Sequence, residues 1–399
     1  MRTASPLWCC DQLFRRTGDM HWLGRLYPRA AAYLRWWLEY RRDAEGWMVY
    51  ACSWESGQDV SSRFGPQQTG GTIIQHVRPV DLQASVALSA EILARWATLL
   101  AGSTQNDAAQ ASAQQAGELA QDAEWWQKIA AEYAEKTRTM WRNGWFRDYD
   151  SMAREWSTQQ DAMHLAPVFC GVVGRDQVEQ LRPFLAQPPL HSSGWAPLSW
   201  PPVVMTLVGA AAAAQMPMDA AELAFRYIDG SYRSTDLREL DEYGGLPGVT
   251  REYRRSVTVG KWGEIAYVNA GIEGYGWGAL SVCLLIRYVM GLREEEPYKI
   301  TIAPALPQAL RRFGATYRVE PISWGDYIIG IECTVRNAKG YTYRIRCARR
   351  ELEETAEGSE EKELQQPVKV KECEWEGTWG EERMLLLPEL ITISSANQI

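Results

Sequence analysis

The chain of 399 residues is poor in the residue types from which several familiar sites are built. Its four histidines, His21, His76, His164 and His191, stand far apart. None has a ligand-spaced partner, so no metal site is expected. Its eight cysteines (Cys9, Cys10, Cys52, Cys170, Cys283, Cys333, Cys347 and Cys373) show neither the C-x-x-C spacing of a zinc site nor the density of a disulfide scaffold. Most are expected to be buried small hydrophobes. Positive charge is short as well: 42 Lys and Arg stand against 50 Asp and Glu, a net charge of −8 that argues against nucleic acid as the main partner. No apolar run reaches the roughly 18 uncharged residues of a membrane span. The apolar part of "MRTASPLWCCDQLFRR" is too short and too interrupted for a secretory leader. The expectation is a cytoplasmic protein with no cofactor, no nucleic-acid partner and no membrane role, with room left for a homo-oligomer.

What is present is tryptophan, 19 of them, with a hydrophobic fraction of 46% that permits a full core. In an acidic chain this excess points to an aromatic-lined pocket as well as to packing. The first three-quarters reads as helices joined by loops. After Pro28, Leu34, Trp37 and Leu38 fall at i, i+3, i+4, the spacing of one buried stripe. The same period runs through Leu82, Val86, Leu93, Trp96 and Leu100, and again from Asp122 to Trp141. Further helices are expected over 158–172, 174–185, 202–215, 219–229 and 270–291, and the Ala/Gln-rich stretch after Gly102 as a helix extension or surface insertion. From "PYKITIAP" onward the period changes to strict alternation, as in Tyr341, Tyr343, Ile345 and Cys347 against Thr342, Arg344 and Arg346. This predicts a helical domain over 1–295 and a small β-sandwich-like domain over 296–399, with a charged, solvated loop near 351–366.

Three loop segments combine aromatic and polar residues. "CSWESGQDVSSRF" holds Trp54, Glu55, Gly57, Asp59 and Arg63; "SSGWAPLSWPP" holds Trp195 and Trp200; and "GGLPGVTREYRR" with "EGYGWGAL" supplies Glu252, Tyr253, Tyr275 and Trp277. A pyranose ring offers apolar C–H faces for an indole and hydroxyls for carboxylates, so such segments suit a sugar site. Each alone also fits a capped loop, a helix start or a tight turn. Together they favour one shared aromatic pocket containing two carboxylates.

The strings "CSWESGQDVSSRF", "SWPP", the "REY" of Arg251 to Tyr253 and "EGYGWGAL" resemble family 63 of the glycoside hydrolases, especially its glucosylglycerate and mannosylglycerate hydrolase branch. The same clan includes the family 37 trehalases, whose QWDxPxGWAP signature is echoed in "HSSGWAPLSW". The resemblance covers roughly residues 10 to 295. It implies an (α/α)6 toroid of six helical hairpins, and the eight or nine helices counted here suggest that the first hairpin or two is missing. Where related proteins follow the acid with Ser-Pro-Arg, this chain has Val60-Ser61-Ser62-Arg63. By the resemblance, Asp59 aligns with the general acid and Glu252 with the general base of an inverting hydrolysis. Two such carboxyls must stand about 6.5–9.5 Å apart with a water between them, which suits groups distant in sequence.

Trp54 would wall the sugar subsite, Gly57 would let the backbone approach it, and Trp195, Trp200, Tyr253, Tyr275 and Trp277 would complete the lining. Arg63 would position a carboxylate or serve as a structural ion pair, Glu55 a structural or hydroxyl-binding role, and Glu264 is the rival base. The expected activity is inverting hydrolysis of a small α-glucoside or α-mannoside, of the glucosylglycerate or mannosylglycerate type. The alternatives are a catalytically silent sugar-binding remnant of the same fold, and a trehalase or oligosaccharide α-glucosidase.

Overall fold

The computed structural model describes residues 4–59, 61–65, 70–104, 110–187, 198, 200–233, 253–259, 264–270, 276–349 and 370–387. The charged stretch near 351–366 lies outside them. The chain forms two compact units, residues 1–11 with 19–284, and residues 12–18 with 285–399.

The α-helices among the described residues are α1 (Ala4–Thr17), α2 (Met20–Tyr40), the one-turn α3 (Ser53–Ser56), α4 (Val80–Thr104), α5 (Gln110–Thr139), the one-turn α6 (Ala166–Phe169), α7 (Arg175–Ala186), α8 (Pro201–Ala213), α9 (Pro217–Arg233) and α10 (Ala279–Leu284). Residues 12–17 of α1 belong to the second unit; all the others lie in the first. Asp19 caps α2 by accepting the Trp22 amide at 2.8 Å. The α2 helix begins eight residues before Pro28 and runs through it, where the sequence predicts a start after the proline. A proline inside a helix removes one backbone bond. Here the apolar face of Leu23, Tyr27, Ala31, Leu34 and Trp37, all buried, holds the helix on both sides of it. Each large apolar side chain so buried contributes about 1.5–3 kcal/mol.

The α4 helix packs against both α2 and α5. It buries Leu82, Val86, Leu93 and Trp96, while Trp126, Ile129 and Tyr133 of α5 are buried in turn. By length and composition α4 could cross a membrane, yet 72% of its apolar window is buried inside the protein. The Ala/Gln stretch is a helix extension from Gln110 onward, and residues 105–109 lie outside the described set. At the other end α5 stops at Thr139, and Trp141, predicted as helical, opens a strand.

Five two-residue strands follow the helices closely: β1 (Val77–Arg78), β2 (Trp141–Arg142), β3 (Trp145–Phe146), β4 (Tyr149–Asp150) and β5 (Glu155–Trp156). They form a β1-β4-β5 sheet and a β2-β3 pair. The predicted helix over 158–172 is shorter than expected. Asp161 accepts the Met163 amide at 2.8 Å and starts a 3-10 turn at Ala162, so 158–161 are left extended before it.

Two longer strands, β6 (Tyr253–Val259) and β7 (Glu264–Ala270), pair antiparallel where the sequence reading places a loop up to Arg255 and expects no strand. The charged residues of "REYRRSVTV" dilute its alternation, and the partner strand that stabilises it is set by pairing rather than by local period. Of the helix predicted from 270, residues 271–275 lie outside the described set; the described part holds a 3-10 turn at Gly276–Gly278 leading into α10.

Among its described residues the second unit contains a five-residue π turn, Leu285–Val289, and seven strands: β8 (Leu292–Glu296), β9 (Lys299–Ile302), β10 (Thr316–Trp324), β11 (Tyr327–Val335), β12 (Gly340–Arg349), β13 (Val370–Thr378) and β14 (Arg383–Leu386). They form a four-stranded sheet, β10-β11-β12-β13, and a three-stranded one, β14-β9-β8. The predicted alternation on β12 holds: Tyr341, Tyr343, Ile345 and Cys347 are buried, opposite the equally buried Val335, Cys333, Ile331 and Ile329 of β11. The other face carries a charged ladder in which Arg344 meets Glu332, Glu372 and Glu374 at 3.1, 2.8 and 2.6 Å. Arg16 of α1 sits over the Trp324 ring at 4.7 Å and pairs with Glu294 at 2.8 Å. The expected succession of a helical region and a β-rich tail is therefore what the chain adopts. The cysteines are less buried than expected, with only Cys170, Cys333 and Cys347 fully so.

Candidate functional site

The W-E-S-G-x-D string folds as a helical turn and a stop. Ser53 to Ser56 form α3, and Gly57 ends it in the left-handed region, φ 74°, where a side chain would be strained. The chain then turns inward at Gln58, which is buried, and presents Asp59 half-buried. Ser61 starts a second turn, Ser62–Phe64, by accepting the Arg63 amide at 3.3 Å.

Glu55 is held in an ion pair. Arg41 clamps it through Nε at 2.9 Å and Nη2 at 2.6 Å, and its Oε2 accepts the Ala51 amide at 2.8 Å. These contacts tie the acid loop to the C-terminus of α2. Trp54, by contrast, is 57% exposed, and its indole lies on the turn at Gly70 and Gly71. A Cβ on Gly70 would come within 2.6 Å of the indole nitrogen, so the close seat requires glycine there.

Arg63 is 4% exposed and makes the centre of a buried charged network. Its Nε and Nη2 donate to the two carboxylate oxygens of Asp148 at 2.8 and 3.0 Å. Nη2 also donates to Asp81 at 2.6 Å, and Nη1 to the side-chain carbonyl of Gln58 at 2.6 Å. Gln58 in turn donates to Asp161 at 3.0 Å. The residue next to Asp59 is thus held from two sides. Asp148 reaches further: it accepts the Val80 amide at 2.8 Å, capping α4 from 68 residues away in sequence. Tyr50 completes the set, donating to Asp81 at 3.0 Å while its ring packs edge-on between Trp37 and Phe64.

The charges in this network are fixed by their neighbours. Burial pushes the Asp81 and Asp148 carboxyls up, but the surrounding positive groups and hydrogen bonds, Arg63 foremost, together outweigh it and hold both below the usual carboxylate range. Burial opposes the Arg63 charge, and Asp148 and Asp81 more than restore it. The hydroxyl of Tyr50 is pushed well up by burial and by the Asp81 charge. His164 is fully buried between Trp145, whose indole N–H donates to Nδ1 at 2.9 Å, and Asp148, 3.0 Å from Nε2. Because an indole nitrogen only donates, Nδ1 must accept, and the ring proton sits on Nε2 facing Asp148.

The remaining predicted residues divide. Trp200 is described and 8% exposed, at the N-cap of α8, where Pro201 and Pro202 open the helix. Trp277 is half-exposed in the Gly276–Gly278 turn. Tyr253 opens β6 opposite Ala270, and Glu264 opens β7 opposite Val259. Glu252, Trp195 and Tyr275 lie outside the described residues. The structure brings Gln58, the neighbour of Asp59, and Arg63 together with Asp81, Asp148, Asp161 and His164, which the motifs did not single out. The signals available for these were an acid opening an apolar helix in "PVDLQ", the acid of "FRDYD" and the histidine in "AMHLAP"; none follows a recognisable spacing.

A family model of the mannosylglycerate hydrolase MGH1-like glycoside hydrolase domain matches residues 3–203, just over half of the chain. No curated protein matches it in sequence. Among solved structures, a protein named sialidase is similar with a TM-score of 0.54 and 12% identity over 84% of this chain, which spans only 29% of that protein. The GH63 mannosylglycerate hydrolase from Thermus thermophilus, in complex with Tris, gives a TM-score of 0.45 and 16% identity, covering 67% of this chain and 71% of that one. The neutral trehalase Nth1 from Saccharomyces cerevisiae gives 0.37 and 18%, covering 59% and 41%. The family match spans the acid loop, the buried network behind it and the helices that carry them, and the chain belongs to the MGH1-like glycoside hydrolases.

Proposed function

We propose that the protein hydrolyses a small α-glucoside or α-mannoside with inversion, with Asp59 as general acid and Glu252 as general base. The observation that carries this reading is the placement of Asp59: half-buried, two residues after a left-handed glycine stop, on a loop anchored by Arg63, Gln58 and Glu55. A general acid needs such a setting, since it must keep its aim on the leaving oxygen through the reaction. Family membership supports the hydrolase reading; Asp59 falls within the matched residues 3–203, and Glu252 lies beyond them. Glu252 would activate water on the opposite ring face, and the exposed indole of Trp54 would offer a stacking surface to the sugar.

Incubating the protein with a panel of α-glucosides and α-mannosides, glucosylglycerate and mannosylglycerate included, tests the reading. Proton NMR of the first sugar released should show the β anomer, the mark of inversion. Release of the α anomer, or full turnover by Asp59→Asn, would sink the mechanism. Saturable sugar binding with no turnover of any glycoside would select a silent remnant of the fold instead.

A further inference from the structure

The loop that carries Asp59 forms one wall of a cleft of about 490 Å3. This is within the range of about 300–1,000 Å3 typical of small-ligand sites. Phe64, Thr72 and His76 line it on the acid-loop side; Asp150, Trp156 and Gln159 line it on the side of β4, β5 and the segment that follows. The walls are preformed. Ser62 donates to the Gln159 side chain at 3.0 Å across the two sides. Arg147 holds the Thr158 and Gln159 carbonyls at 2.7 and 2.8 Å. The Trp156 ring is fixed by Tyr149, centroid to centroid 4.9 Å, and by the Arg142 guanidinium at 4.4 Å.

The polar lining is carboxylate, amide, hydroxyl and imidazole beside an indole. Among the described residues, three carboxylates, Asp148, Asp150 and Glu155, stand in the lining against a single guanidinium, that of Arg63. That guanidinium is engaged by Asp148, Asp81 and Gln58. Recognition of an anionic ligand calls for a free cationic fork or a positive field, and the lining supplies the opposite sign. Hydroxyl groups suit it, since they donate to carboxylates and amides while a ring face meets the indole.

We infer that this cleft holds the leaving-group half of the substrate, and that this half is a neutral polyhydroxylated group, a second sugar or a polyol, and not a carboxylate such as glycerate. The inference rests on the hydrolase reading above. A general acid protonates the leaving oxygen, so the group beyond that oxygen lies beside the acid's own loop. The cleft wall begins at Ser62, three residues after Asp59. Glycerate is the part of the family's name that this lining does not fit.

The test measures kcat/KM of the full chain on four glucosides: an α-linked disaccharide, glucosylglycerol, glucosylglycerate and α-glucosyl fluoride. The neutral glycosides should exceed glucosylglycerate by about ten-fold or more, the scale of one unfavourable charge contact. Of the two neutral ones, the better substrate tells a sugar from a polyol. Trp156→Ala should lower the ratio of disaccharide to fluoride by about ten-fold, because the departing fluoride ion offers no ring to stack. Asp150→Asn with Glu155→Gln should raise glucosylglycerate relative to glucosylglycerol. A preference for glucosylglycerate, or an unchanged disaccharide to fluoride ratio in a Trp156→Ala protein with wild-type circular dichroism, overturns the inference. If no glucoside is hydrolysed, the fluoride included, the hydrolase reading fails. Calorimetric titration with glucose and glycerol then decides the cleft: binding weakened by Trp156→Ala keeps it as a neutral-sugar site, and no binding removes it.

Discussion

Arg63 holds both carboxylate oxygens of Asp148, at 2.8 and 3.0 Å, with the two side chains fully buried. The same Asp148 caps α4 and accepts from His164, so one carboxylate joins the acid loop, a core helix and the turn at Ala162–Leu165. A bidentate pair of this kind fixes direction as well as distance. Arg63→Lys keeps the charge but not the fork. It should lower stability by about 3–5 kcal/mol, the cost of leaving a buried carboxylate poorly paired. Urea unfolding checks this; a loss under about 1 kcal/mol would mean that the network contributes little beyond surface pairs.

Asp81 and Asp148 give the fold an acid limit. Both carboxyls titrate lower in the folded protein than in the unfolded chain, so the unfolded chain takes up protons first as pH falls below about 4. The stability they contribute is therefore complete at neutral pH and is lost as pH drops through their folded values. Unfolding midpoints measured from pH 7 to pH 2 should fall steeply below pH 4 in the wild type and less steeply in Asp148→Asn. Parallel curves for the two proteins would remove Asp148 from this account.

The tautomer of His164 is directly observable. With Nδ1 accepting from the Trp145 indole, long-range 15N–1H correlation at neutral pH should place the proton on Nε2. A proton on Nδ1 instead would require Trp145 or the ring to be turned from its present seat.

Glu55 and Asp59 should separate in a kinetic comparison. Asp59→Asn is expected to reduce turnover of an unactivated glycoside by about 10²–10⁴-fold, the scale of a general acid. Glu252→Gln is expected to be similarly damaging. Glu55→Gln loses the Arg41 clamp at 2.6 Å, so it should cost about 1 kcal/mol of stability at this half-exposed pair and leave the chemical step less affected. Abolished turnover in Glu55→Gln with activity kept in Asp59→Asn would exchange their roles.

Gly70 offers a test of the exposed indole. Gly70→Ala must move Trp54, because the added Cβ would meet the indole nitrogen at 2.6 Å. A side chain this exposed can swing away at small cost to stability, so the expected result is a shifted tryptophan emission with an unfolding midpoint near that of the wild type. Sugar affinity should fall in parallel, and an unchanged affinity would argue that Trp54 is no part of the subsite.

The sequence by itself determined the change from helix to strand, the alternation that buries Tyr341, Tyr343, Ile345 and Cys347, and the local form of the acid loop. Those features are written in neighbouring residues: a period of two or of about 3.6, or a glycine where the chain must stop. Periodicity missed the pairing of β6 with β7, and motif reading missed the partners of Arg63. Asp81, Asp148, Gln58 and His164 lie between 5 and 101 residues from Arg63. Only the tertiary structure could choose among the chain's 50 acids which two would neutralise that buried guanidinium. A buried charge is satisfied by whichever carboxylates the packed helices bring within hydrogen-bond reach, and reach in space leaves no period in sequence.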